Sequence, residues 1–281
     1  MSDAVAPLGI VDAVGPAGEK KAEVPAWQLV LRAVLATYLL GAATTLAVMV
    51  QVETGIPVLG SLLFPIGLVL VVLLGLELVT GAFGVVPVAV LERRVSVAAC
   101  LRVFLWLIVG HLVGGLAAAW MISAVLTGMG TISDEPTAQA LVDLAVDKTL
   151  RYAEAGPATG LTWATLSAVL CNWLVVLGVV MGFSSTSLAG KVLAIWMPIL
   201  AFFALGYEHA VVNFFVIPAG MMLGAPIGVG DWWLWNQVPV LVGNFIGGIT
   251  LAALGLYFSH RSRPRRPEED VEAEDRDPQT A

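Results

Sequence analysis

Two glutamates in long apolar stretches are the first residues of this sequence with the chemistry of a functional site. Glu77 and Glu208 each come two residues after a glycine, Gly75 and Gly206. An ionised side chain at bilayer depth is costly, so we expect each glutamate to be protonated, hydrogen-bonded to freed backbone groups or facing water. Unwound backbone is tolerated there only where it is buried in protein or lines a cavity. The pair therefore indicates two interrupted helices, and the acids have either a structural or a functional role.

His209 directly follows Glu208 at the second predicted break. The N-terminal end of a half-helix presents partial positive charge, and an imidazole beside it is able to exchange a proton with a passing weak acid. A histidine that only satisfies the core is the alternative. We expect Thr80 to face His209 from the first break. Three amides in apolar stretches are further candidates, either for pore lining or for holding helices together: Asn172, Asn213 and Asn244.

The composition excludes an ordinary water-soluble domain. Of the 281 residues, 58% are hydrophobic and 12% are charged, whereas soluble proteins have roughly 25% charged residues. The mean hydropathy is +0.89. Six apolar stretches are each near the roughly 20 residues that one bilayer crossing needs. The sequence therefore predicts an all-α polytopic membrane protein with six transmembrane helices, at residues 29–50, 58–91, 98–126, 158–183, 191–223 and 235–258.

The placement of basic residues predicts the orientation. Twelve of the 14 lysines and arginines fall on one side of the predicted membrane, and only Lys148 and Arg151 fall on the other. By the positive-inside rule, both termini are expected to be cytoplasmic. No basic stretch precedes a short apolar run at the N-terminus, so we expect no cleaved signal peptide.

The net charge of −7 reflects acidic residues that are concentrated near the two ends of the chain. Seven of the 21 acids lie in the last 14 residues, and no basic surface suited to nucleic acid is present. We expect a cytoplasmic N-terminal tail at 1–25, a transmembrane channel domain at 26–260 and a charged cytoplasmic C-terminal tail at 261–281. The arginines directly after the last span are expected to anchor the topology: Arg261, Arg263, Arg265 and Arg266.

An internal repeat relates the two halves of the sequence. Pro87 lies twelve residues after Gly75, and Pro218 lies twelve residues after Gly206. Two further runs match in the same order, GHLVGGL at 110–116 and GNFIGGI at 243–249. Because each half has three spans, the second half must run inverted through the bilayer. This predicts an inverted 3+3 repeat in which helices two and five are interrupted.

Several runs of residues resemble the signature of the formate/nitrite transporter family. The resemblance covers about residues 26–260. The runs that carry it are GLELVTG at 75–81, CNWLV at 171–175, AGK at 189–191, IWMP at 195–198, FFALGYEHAVVN at 202–213 and IP at 217–218.

This resemblance implies a homo-pentamer of aquaporin-like protomers in a bacterial inner membrane, each protomer with its own pore. It implies conduction of small monovalent anions such as formate, nitrite or hydrosulfide, or proton-coupled passage of their acids. It places Thr80 opposite His209 at the centre. The outer constriction would be formed by Phe64, Leu68 and Val175, the inner one by Leu78 and Phe202, and the supporting polar shell by Glu208, Asn172, Asn213 and Asn244.

Two positions depart from the family pattern. Gly156 stands where the family often has a lysine that draws anions into the outer vestibule, and His111 stands where it usually has asparagine. Either Lys148 or Arg151 replaces the missing charge, or entry occurs without electrostatic capture.

Two other function classes compete with an anion channel. One is a channel for small neutral solutes on the same inverted plan, with His111 beside His209 as a hint of an ammonia route. The Asn-Pro-Ala pairs expected of a water channel are absent from the sequence. The other is a membrane scaffold whose helix breaks serve packing alone. No catalytic nucleophile or redox motif is evident, so we expect no enzyme, no cofactor and no metal.

Overall fold

The computed structural model describes residues 3–260, which form a bundle of helices without a β-strand in that range. The predicted anchor at Arg261–Arg266 and the acidic C-terminal tail lie outside the described residues. The all-helical class expected from the sequence is confirmed for the described part of the chain.

Within residues 3–260, four helices are long and apolar enough to cross a membrane. They coincide with predicted spans one, three, four and six to within six residues at every end. Shorter apolar helices occupy predicted spans two and five. The helices are α1 (Pro7–Asp12), α2 (Val14–Glu23), α3 (Ala26–Thr54), α4 (Pro57–Leu73), α5 (Val79–Leu91), α6 (Val97–Leu126), α7 (Pro136–Asp147), α8 (Leu150–Glu154), α9 (Gly156–Met181), α10 (Leu188–Ala204), α11 (Ala210–Met222) and α12 (Val229–His260).

Both expected helix interruptions are present and have the same local geometry. Gly75 has φ of 64° between α4 and α5, and Gly206 has φ of 68° between α10 and α11. No atom lies within 4 Å of where a Cβ would stand at either glycine, so the left-handed backbone and not crowding favours glycine there. Three residues later the backbone is extended in both breaks, and a second half-helix begins at Val79 and at Ala210.

Glycines from the repeated runs set close helix contacts in both halves. In α6, Gly110 and Gly114 face the backbone of α3, and in α12 Gly243 and Gly247 face the backbone of α9. A side chain at any of these positions would meet backbone atoms of the neighbouring helix. The spacing of four residues is the small-residue pattern that lets membrane helices approach closely. The same pattern thus packs the third helix on the first and the sixth on the fourth.

The N-terminal segment, expected from the sequence to be a tail, forms helices that pack against the bundle. In α2, Gly18 lies against the backbone of Val85 in α5. The Arg102 guanidinium on α6 donates to the carbonyl oxygens of Ala22 and Val24 at 2.5 and 3.2 Å. Small residues in α2 permit this close packing. Arg102 donates hydrogen bonds to the carbonyl oxygens at the C-terminal end of α2.

Candidate functional site

Three cavities lie in series through the helix bundle. The first, about 200 Å³, is here named the Lys148 vestibule and is lined by Lys148, Phe202 and His209 among others. A central cavity of about 10 Å³ shares Phe202 and His209 with it. The third, the Lys21 vestibule, has about 440 Å³ and shares Leu68 and Leu78 with the central cavity. Because neighbouring cavities share walls, they define one path with a narrow middle.

The central cavity is apolar except for one imidazole. Its volume suffices for about one water-sized molecule. His209 is the polar side chain in its wall. The other residues that line it are Leu40, Phe64, Leu68, Leu78, Val175, Ile199 and Phe202. All five residues predicted for the constrictions are therefore in this wall, and Leu40 and Ile199 were missed.

The structure groups the constriction residues differently from the expectation. The Phe64 ring meets the Phe202 ring edge-on at 5.6 Å between centroids and stacks on Phe203 at 4.0 Å. These rings lie at the Lys148 end of the central cavity, whereas Leu68 and Leu78 lie at its Lys21 end. Grouping Leu68 with Phe64, and Phe202 with Leu78, is therefore wrong. Since α4 packs beside α10, Phe64 contacts the two aromatic rings at the end of α10.

His209 and Thr80 meet across the two breaks. The imidazole Nε2 lies 3.0 Å from the Thr80 hydroxyl oxygen, and both residues are buried. The Val212 backbone N–H donates to Nδ1 at 3.3 Å. Since Nδ1 accepts, the proton of the neutral ring is assigned to Nε2, which donates to Thr80. Thr80 itself lines none of the three cavities, so it supports the imidazole from behind the cavity wall.

Glu208 is a fully buried carboxylate with four donors. Tyr152 donates to Oε1 at 2.9 Å, and Asn213 donates to Oε2 at 2.8 Å. Lys148 Nζ and Asn236 Nδ2 donate to Oε2 at 3.2 and 3.1 Å. Both carboxylate oxygens accept, and one of the donors is a cation, as in a charge-assisted pair. The expectation of a protonated, backbone-bonded or water-facing acid omitted the true arrangement, which is an ion pair.

Tyr152 remains a proton donor to this cluster. It is fully buried outside the long helices, and burial and the Glu208 carboxylate raise the pKa of its phenol. The phenol oxygen also accepts from Arg151 at 3.1 Å.

Glu77 has the corresponding arrangement at the first break. Its carboxylate pairs with Lys21 from α2, and Arg32 Nη1 lies 3.9 Å away. Glu77 and Lys21 both line the Lys21 vestibule, where Lys20, Arg32 and Lys191 add positive charge. Each break glutamate therefore has a lysine partner that comes from outside its interrupted helix.

The three predicted asparagines hold backbone and polar groups of the breaks and do not line the three cavities. Asn172 Nδ2 donates to the carbonyl oxygens of Thr80 and Asn244. Asn244 accepts from the Ala210 N–H at 2.8 Å and donates to the Glu208 carbonyl at 2.9 Å. Asn213 bonds to Glu208 and Asn236. These contacts match the structural reading that the sequence left open.

His111 is fully buried away from the path. Its Nε2 accepts from the Val79 N–H at 3.0 Å, and its Nδ1 lies 2.8 Å from the Thr37 hydroxyl. His111 lines none of the three path cavities. Both nitrogens are therefore occupied by protein groups, which argues against a route for ammonia along two histidines.

The two candidate vestibule cations have different positions. Lys148 is buried and lines its vestibule, whereas Arg151 pairs with Asp147 at 3.1 Å. Arg151 also lies over the rings of Tyr152 and Trp163. Gly156, the position of the missing lysine, has φ of 80°, which disfavours any side chain.

Sequence reasoning missed four polar partners in the site. Asn236 is a polar residue in an apolar span, and this same pattern identified the other asparagines as candidates. Tyr152, Lys21 and Arg32 carry no local signal, because their partners are 45 or more residues away in the sequence. No cluster of metal-ligating side chains occurs in the part of the chain that the structure describes.

Comparisons with known proteins agree on one family. A profile described as formate/nitrite transporter matches residues 9–258. A protein named probable formate transporter from Methanothermobacter thermautotrophicus is 37% identical over 203 residues, 70% of this chain and 73% of that protein. The formate channel BtFdhC of Bacillus thuringiensis is 31% identical over 194 residues, 68% of each chain.

Two solved structures share the fold. One, titled FNT family ion channel, has a TM-score of 0.75 at 22% identity and covers 90% of this chain and 99% of its own. Another, titled pentameric formate channel with formate bound, has a TM-score of 0.69 at 24% identity and covers 83% and 96%.

The Lys148–Glu208 ion pair predicts a non-additive effect on stability. Lys148→Met leaves a buried charge without its counter-ion and should lower the free energy of unfolding by about 3–5 kcal/mol. Lys148→Met combined with Glu208→Gln should cost less than the sum of the single changes. Thermal unfolding of the detergent-solubilised protein measures both.

Glu19→Gln, in an exposed pair with Arg94, is the control and should cost at most about 1 kcal/mol. Additive losses from Lys148→Met and Glu208→Gln would show that the two groups are not coupled.

Proposed function

The chain belongs to the formate/nitrite transporter family, and we propose that it conducts small monovalent anions, or their weak acids. The pore lies within each protomer. Formate, nitrite and hydrosulfide are the substrates of suitable size and charge. The observation that carries this proposal is the series of three cavities, with a basic group in each vestibule and His209 in the wall of the narrow apolar middle. The apolar narrowings at the two ends of the central cavity, at Phe202 and at Leu78, are here named the slits.

In this proposal the chain crosses the bacterial inner membrane six times as an inverted 3+3 repeat. Support comes from the matched breaks at Gly75 and Gly206 and from the matched glycine contacts of α6 and α12. Residues 26–260 form the channel domain, and both terminal segments, 1–25 and 261–281, are cytoplasmic. The Lys148 vestibule then opens outward and the Lys21 vestibule inward. A homo-pentamer is proposed because a related structure is titled pentameric.

Lys148 supplies the positive charge that Gly156 lacks. It lines the vestibule and is buried, so its field is screened less by salt than that of an exposed loop residue. Glu208 offsets part of this charge, which favours a weakly held anion that leaves easily. Arg151 does not line this vestibule and contributes less, and the Asp147 carboxylate with which it pairs lies in the vestibule wall.

The slits favour passage of the substrate in a protonated or hydrogen-bonded form. A bare anion in an apolar cavity is far costlier to bury than a neutral acid, which keeps only hydroxyl and carbonyl groups to satisfy. His209 is the polar side chain in the wall of the central cavity, and its Nε2–H donates to the Thr80 hydroxyl behind it. The substrate anion therefore acquires its proton from water in a vestibule and crosses the two apolar constrictions as the weak acid. In the central cavity, the Nε2–H of His209 turns from Thr80 to the passing acid and donates to it.

The function is tested in proteoliposomes that report solute uptake and internal pH. Formate should enter with internal acidification, and uptake should rise by up to about tenfold per pH unit as the external pH falls from 7 to 5, in step with the acid form. His209→Phe should reduce formate uptake, because the central donor is lost. Glycerol should be excluded. Glycerol or ammonia permeation without formate uptake would favour the neutral-solute channel, and no uptake of any solute would favour a scaffold.

The two slits in series predict a cooperative change in size selectivity. Phe202→Ala opens the Lys148 end and Leu78→Ala the Lys21 end, but either remaining slit still limits passage of a larger acid. Lactate uptake should rise by roughly tenfold, equivalent to about 1.4 kcal/mol in the barrier, only when both are replaced. Leu205→Ala, an exposed residue of the second break, is the control. Unaltered lactate exclusion in the double variant would show that these side chains do not form the barrier.

A further inference from the structure

We propose that His111 is a positioning residue that holds the first helix break in register and thereby sets the slit at Leu78 and the hydroxyl of Thr80. The inference rests on the proposed function, since it assigns a specificity role to a residue outside the path. His111 acts through the backbone of Val79, which lies between the slit leucine and the threonine.

The hydrogen bonds of His111 fix one tautomer. The Val79 N–H is a donor, so Nε2 accepts at 3.0 Å and the ring proton is on Nδ1. Nδ1 then donates to the Thr37 hydroxyl oxygen at 2.8 Å, and that hydroxyl donates to the Ala33 carbonyl at 2.8 Å. His111 and Thr37 are fully buried. The break is thus tied to α3 and α6 through a chain in which every donor has an acceptor.

The second half of the protein has the same bond with a different side chain. Val79 and Ala210 are the first residues of the second half-helices. The Ala210 N–H donates to Asn244 Oδ1 at 2.8 Å, and Asn244 is the repeat counterpart of His111. In the first half of the protein an imidazole nitrogen accepts from the first N–H of the half-helix, and in the second half an amide oxygen accepts from it.

The first break depends on this bond more than the second does. His209, directly before α11, also caps the helix by accepting from the Val212 N–H. Its counterpart directly before α5 is Leu78, whose side chain has no acceptor. Within residues 3–260, His111 is then the one side chain that accepts from the first turn of α5. Since the first N–H groups of a helix lack partners within the helix, loss of this acceptor leaves a buried donor unsatisfied.

Loss of the hydrogen bond from Val79 to His111 is expected to change which solutes pass. A first turn released from His111 adopts other positions, which moves Leu78 on one side of Val79 and Thr80 on the other. The slit at the Lys21 end then widens, and the Thr80–His209 contact lengthens. His111 itself contacts no solute, because it lines none of the path cavities.

The test compares His111→Leu with His111→Gln, two side chains of similar size that differ in having an acceptor. In proteoliposomes, His111→Leu should lower the ratio of formate to acetate uptake by about tenfold, whereas His111→Gln should keep it within about twofold of the unaltered protein. Leu107→Ala, a fully buried residue one turn away on α6, should lower thermal stability but leave the ratio unchanged. An unchanged ratio in folded His111→Leu, or an equal loss with Gln, would overturn the proposal.

A second measurement needs no variant and no transport. In protein labelled with ¹⁵N-histidine, the nitrogen resonances should show two buried rings of opposite tautomer, with the proton on Nδ1 for His111 and on Nε2 for His209. A proton on Nε2 of His111 would exclude the bond to Val79 and overturn the proposal. If the unaltered protein fails to take up formate, the proposed function fails, whereas the tautomer still tests the role of His111.

Discussion

Two helix breaks buried within an apolar bundle expose backbone N–H and C=O groups that must find partners inside the protein, because lipid offers none. At the second break, Asn244 accepts from Ala210 and donates to the carbonyl of Glu208. At the first break, His111 accepts from Val79. The buried polar residues of the described chain are therefore concentrated around the breaks. Their hydrogen bonds to the backbone of the breaks fix the positions of the helices that carry them.

The same requirement explains the two ion pairs. A glutamate beside each break would be costly if charged and alone, and a lysine from a separate segment neutralises it. Lys21 comes from the N-terminal helix α2, and Lys148 comes from the connection after α7. Both lysines line vestibules. The path thus has a lysine–glutamate pair at each end and the His209 imidazole in an apolar middle.

Local patterns in the sequence predicted a large part of this arrangement. The positive-φ glycines, the acids that follow them and the pairing of Thr80 with His209 follow from motifs a few residues long, and the family resemblance carried by FFALGYEHAVVN is confirmed. The grouping of the slits could not be predicted, because it depends on how α4 packs beside α10 and brings Phe64 to Phe202. The lysine partners were missed for the same reason, since they come from distant segments. Asn236 was within reach, as a polar residue in an apolar span.

The most direct test of the continuous path is thiol labelling on both sides of the central cavity. Leu144→Cys places a thiol in the Lys148 vestibule and Val179→Cys places one in the Lys21 vestibule. Both positions are half-buried, while the native Cys100 and Cys171 are buried. An anionic methanethiosulfonate reagent on both sides of the membrane should block formate uptake in each variant. It should leave uptake unchanged in Leu101→Cys, an exposed residue on an apolar face outside the path. Full formate uptake after complete labelling at both vestibule positions would contradict the account.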